Sequence, residues 1–145
     1  MFYGETVQET RQMFFASWNK FCQKQALLPL EQEIVRVIQD HPEYHHFIEN
    51  PGKYHEHTYY PEFGEANPFL HLGLHLAIRE QVATDRPPGV SAAYTHLLSA
   101  YSDPLAVEHL MMDQLAECLW LSQKNNQPPN ENQYLETLME LANKK

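Results

Sequence analysis

Long apolar runs are missing from this chain. No stretch approaches the roughly eighteen uninterrupted apolar residues that a membrane-crossing helix needs, so no membrane span is expected. Basic residues are scarce. Ten Lys and Arg stand against nineteen Asp and Glu, a net charge of −9. Affinity for nucleic acid grows with the phosphates that Lys and Arg neutralise, and the same cations draw a chain to anionic lipid, so neither partner is expected. Cysteine is almost absent. Cys22 and Cys118 sit among apolar neighbours in helical stretches and read as buried, reduced thiols rather than a disulfide. The start, MFYGETVQETRQ, lacks the basic stretch and apolar core of an export signal, which leads to an expectation of a cytoplasmic location. There is no nucleophile elbow, phosphate loop or Cys-x-x-Cys, so catalysis without a metal has no support.

What is present suits a globular chain: 43% hydrophobic and 20% charged residues in 145, expected to form a single helical domain over 1–145. Apolar residues recur every three to four positions, which predicts helices near 6–24, 30–49, 68–82, 90–101 and 104–123, with a short last helix around Leu135 to Ala142. Thr6 to Glu9 has the spacing of a capping box. Pro29, Asn67-Pro68 and Asp103-Pro104 mark helix starts. Pro42 interrupts the second helix, either as a kink or as the first turn of a new one, and Asn50-Pro51-Gly52 closes that stretch. Residues 51–67 read as a long ordered loop packed by its tyrosines. No strand or repeat is evident. The expectation is an all-α, small helical bundle with a long loop between its second and third helices.

Nine histidines are a large stock for this length. Residues four apart on a helix lie about 40° from each other around the axis and share a face. Three stretches place ligand-type residues at that spacing: His41, His45 and Glu49; His71 and His75; and His109, Asp113 and Glu117. The middle pair lies within NPFLHLGLHLAIREQ, which is apolar on almost every other side. An unpaired imidazole or carboxylate in a core loses several kcal/mol of hydration, so such groups pair with one another or share a cation. Imidazole and carboxylate suit iron and zinc, and inward Glu and His on facing helices hold two metals in many bundles. His71 and His75 are expected to meet His109, with Asp113 or Glu117 supplying oxygen and His41, His45 or Glu49 completing the set. Of the rest, Arg79 continues the His71/His75 stripe and either pairs with a carboxylate or faces solvent. Glu80 and Glu108 read as surface charges, His55 and His57 as exposed, His46 and His96 as packing or solvent-facing, and Met111 and Met112 as core.

HPEYHHFIENP, NPFLHLGLHLAIREQ, RPPGV and EHLMMDQLAECLW together resemble a bacterial family known as the domain of unknown function numbered 1841. The resemblance covers nearly the whole chain and implies a small helical protein with no established activity. A looser likeness is to hemerythrin, whose ligands run His, His-x3-Glu, His-x3-His and His-x4-Asp. Here His41, His45-x3-Glu49, His71-x3-His75 and His109-x3-Asp113 follow a similar order, with the last spacing one residue short.

Three functions fit these residues. The first is a metal-binding helical protein holding one or two ions of iron or zinc. The second is a non-catalytic adaptor whose histidines form an internal hydrogen-bonded network and whose acidic surface docks a protein partner or a second copy. The third is a zinc-dependent transferase or hydrolase with a mononuclear three-histidine site.

Overall fold

Pro42 ends a helix, and much of the local architecture is set by that. The computed structural model describes residues 7–60 and 64–144, and every regular element among them is helical. The elements are α1 (Val7–Cys22), α2 (Pro29–Gln39), a 3-10 turn (Pro42–Tyr44), α3 (His45–Ile48), α4 (Pro51–Tyr54), α5 (Pro68–Thr84), α6 (Val90–Tyr101), α7 (Pro104–Asn125) and α8 (Glu131–Asn143). The expected all-α class is what the chain adopts. The chain divides into two compact units, Met1–Leu76 and Ala77–Lys145.

In the first unit α1 packs on α2. The apolar period of α1 buries Phe14, Phe15 and Trp18, and that of α2 buries Ile34, Val35, Val37 and Ile38. Ile48, Tyr54, Phe69, Leu72 and Leu76 complete this core. Each large apolar side chain withdrawn from water contributes about 1.5–3 kcal/mol. Phe69 meets Phe15 edge to face at 5.4 Å and lies 6.2 Å from Phe14, which ties the start of α5 to α1. Pro29 occupies the first turn of α2, and the Glu31 carboxylate accepts from the Leu28 N–H at 2.8 Å and from Lys20 Nζ at 2.7 Å.

The single helix expected over 30–49 is instead broken after Gln39. Pro42 has no N–H, and its ring collides with the carbonyl four residues back, so the α pattern stops. His41 N turns to the Ile38 carbonyl at 3.0 Å. The Val37 carbonyl is thereby left for a side chain, and the Ile38 carbonyl, without the N–H that Pro42 lacks, can accept a second bond from one. The loop expected over 51–67 also differs: Pro51 opens the short α4. Arg11 of α1 anchors the end of α4 and the residues just beyond it. Its Nη1 reaches the carbonyls of Tyr54, His55 and His57 at 3.2, 3.2 and 2.7 Å, and its guanidinium lies over the rings of Phe69 and Tyr59.

The helix starts marked by cap-and-proline pairs are present. Asn67 Oδ1 accepts from the N–H of Phe69 and Leu70, and Asp103 caps α7 by accepting from Leu105. Thr6 of the expected capping box lies outside the described residues. In the second unit α6, α7 and α8 pack together. They bury Val90, Ala93, Leu97, Val107, Met111, Met112, Leu115, Tyr134 and Leu138, so both methionines are core as expected. Gly89 precedes α6 at φ +105°, a conformation that favours glycine. Asp85 organises this start by accepting from the N–H groups of Gly89 and Ser91, both at 3.1 Å.

The thiols differ from expectation. Cys22 is exposed and Cys118 half-buried, and both are free. Cys22 follows the apolar period in sequence but falls on the uncovered end of α1, whereas the Cys118 thiol lies 3.7 Å from the Asn130 carbonyl. Trp120 and Leu121 are exposed on the later turns of α7.

Candidate metal centre

The carbonyls released by Pro42 position two imidazoles. His41 Nδ1 lies 2.8 Å from the Val37 carbonyl, and His45 Nε2 lies 2.9 Å from the Ile38 carbonyl. A carbonyl only accepts, so each of these ring nitrogens is the donor. For a neutral His41 this leaves Nε2 with a lone pair.

That lone pair faces α5. His41 Nε2 is 3.1 Å from His75 Nε2, and His75 Nε2 is 3.1 Å from His71 Nε2. Ring centroids are 4.5 Å apart for His41–His75, 4.8 Å for His71–His75 and 5.2 Å for His41–His71. The ligand-capable nitrogens of these three residues all lie within 4.8 Å of one another. His75 is fully enclosed, His41 is 3% exposed and His71 is half-buried. Tyr44 forms a wall. Its ring is parallel to His41 at 5.7 Å and edge-on to His71 at 5.7 Å. Burial, and then the neighbouring Glu43, holds its hydroxyl above the usual tyrosine range.

Three Nε2 atoms turned toward one another are poorly served by protons alone. One proton on His75 Nε2 can be given well to one neighbour, and His41 Nε2 already has the lone-pair role. A cation accepts all three lone pairs together. Two nitrogens each about 2.0–2.1 Å from one tetrahedral zinc ion stand about 3.3 Å apart, close to the separations found here. His109 lies on α7, in the second unit, and is exposed.

The remaining expected ligands are placed elsewhere. His45 is committed to Ile38 and packs its ring 4.7 Å from Trp18. Glu49 is exposed and accepts from Trp18 Nε1 at 3.1 Å. Neither joins the imidazole group, because the helix that would have aligned them with His41 ends at Gln39. Asp113 and Glu117 are exposed on α7, in the second unit. Glu117 lines a cleft between α7 and α8 with Cys118 and Tyr134. Of the carboxylates in the hemerythrin order, Glu49 thus lies outside the set.

Two residues depart from the reading of the sequence. Glu108, expected as a surface charge, is 6% exposed and accepts from Arg79 Nε at 3.1 and 3.2 Å. Tyr44 is part of the site without being of ligand type; its only signal in sequence is its position three residues after His41 and behind a proline. His46, which has no partner at helical spacing, bonds to the Tyr54 hydroxyl at 3.0 Å. His57 is exposed, as expected; His96, read as packing or solvent-facing, is exposed, and His55, expected to be exposed, is half-buried.

The family model described as "Domain of unknown function (DUF1841)" matches residues 6–140. No curated protein and no solved structure matches the chain.

Proposed function

Because the chain belongs to the DUF1841 family, whose description carries no activity, we propose its function from the geometry: it binds one transition-metal ion through Nε2 of His41, His71 and His75. The observation that supports this most is the pair of 3.1 Å Nε2 separations, with His41 turned by its bond to the Val37 carbonyl so that its lone pair faces the group. A second-sphere carbonyl holding the other ring nitrogen is the usual way a protein orients a metal-ligating histidine. With three imidazoles and no carboxylate beside them, zinc fits better than a pair of iron ions, since dinuclear iron sites in helical bundles rely on bridging carboxylates.

Elemental analysis of the full chain, purified without an affinity tag or chelator, tests this. About one equivalent of zinc supports the reading. A metal-free chain that also fails to take up added zinc or iron replaces it with an internal hydrogen-bonded imidazole network.

A further inference from the structure

The donor set determines the charge of the centre. Histidine binds a metal as neutral imidazole, and the group holds imidazoles alone. The carboxylates of the same stretches lie elsewhere, with Glu49 on the Trp18 indole. A divalent ion held this way keeps its full double positive charge, in surroundings where opposite charges interact more strongly than in water. That charge favours an anionic ligand.

The centre is enclosed unevenly. His75 and His41 are shut off from water, whereas His71 is only half-buried. Solvent therefore reaches the His71 side. The space is small, because the imidazole centroids stand 4.5–5.2 Å apart and Tyr44 packs against two of them. The chain carries a net charge of −9, so attraction for an anion must come from the ion itself.

We infer that the metal held by His41, His71 and His75 takes a small inorganic anion as a further ligand, entering from the His71 side. This rests on the proposed metal site. Zinc and cobalt accept such a ligand as the open position of a four-coordinate site or by expanding to five.

The experiment uses the full chain loaded with Co(II), whose visible spectrum reports its coordination. Cobalt content is measured first, and sodium azide is then titrated, with sodium perchlorate at matched ionic strength as the weakly ligating comparison. The expected result is a saturable change in the visible bands with azide, fitting one site, and none with perchlorate. If cobalt is bound stoichiometrically and azide leaves the spectrum unchanged, or perchlorate changes it equally, this inference is wrong and the metal reading stands. If no cobalt is taken up, both fall.

Discussion

The Val37 carbonyl accepts from Nδ1 of His41 at 2.8 Å, a bond that exists because Pro42 stops α2 one turn too early for the backbone to use that carbonyl. Pro42→Ala restores a backbone N–H able to reach Ile38, lets α2 run on, and brings the His41 N–H onto Val37 in place of the ring. Loss of an outer-sphere partner of a ligating histidine costs about 10–100-fold in metal affinity. Competition with a chelator of known strength should show a loss of that size in Pro42→Ala, with helical circular dichroism retained. Unchanged affinity would mean that the carbonyl does not orient the ring.

Removing a ligand should uncouple stability from metal. Zinc at 100 times its Kd adds about 2.7 kcal/mol to a protein that binds it only when folded. The parent should gain that stability on adding zinc, and His71→Ala should gain none, as read by unfolding with and without the ion. His75→Ala should lose most of the bound metal. His57→Ala, Asp113→Ala and Glu117→Ala should keep it, since their parent side chains are exposed.

In the second unit, Glu108 and Arg79 form an ion pair with side chains 8% and 21% exposed. Taking away one partner of such a pair leaves a poorly hydrated charge and costs about 3–5 kcal/mol. Arg79→Met should therefore lower the urea midpoint sharply. Arg79→Met combined with Glu108→Leu should recover a good part of the loss. Two equally harmful changes, single and double, would show that the charge itself is not the issue.

Asp85 gives a pH signature. Backbone N–H groups of Ser91, then Gly89, hold its carboxyl below the ordinary aspartate range. A carboxylate whose pKa is depressed by folding stabilises the folded state. That contribution is present in full above the ordinary value of about 3.9 and is lost as pH falls through the lower folded value. Asp85→Asn tolerates the positive φ of 51° at this position and removes only the charge. The parent should melt above Asp85→Asn at neutral pH, and the gap should close on acidification into the range below the ordinary aspartate pKa. A constant gap across that range would contradict a role for the charge.

Helices are legible in the sequence wherever a cap, a proline and an apolar period agree, as at Asn67-Pro68 and Asp103-Pro104. The His71/His75 pair is legible because it interrupts an otherwise apolar helix. His45 and Glu49 are not, because residues four apart share a face only on an unbroken helix, and Pro42 removes it. Once the α pattern fails, the direction of each side chain depends on which carbonyl or ring lies nearby, which periodicity does not encode. Glu108 escapes for a related reason. Its burial depends on Arg79, a partner 29 residues away. The exposed Cys22 and Trp120 show the reverse error: an apolar neighbourhood in sequence says which face a residue shares, but not whether anything covers that turn.

Resistance to proteases near α4 hangs on Arg11. One nitrogen of its guanidinium gathers three carbonyls from residues 54, 55 and 57, in a stretch with neither strand pairing nor a long helix to hold its backbone. Stabilisation that elsewhere is spread over a ladder of amides is here concentrated in one side chain on a neighbouring helix. The stretch after α4 should therefore vary widely in side chains without loosening, since the bonds are to its backbone. It should become open to cleavage on the single change Arg11→Ala, which removes the nitrogen that all three carbonyls share.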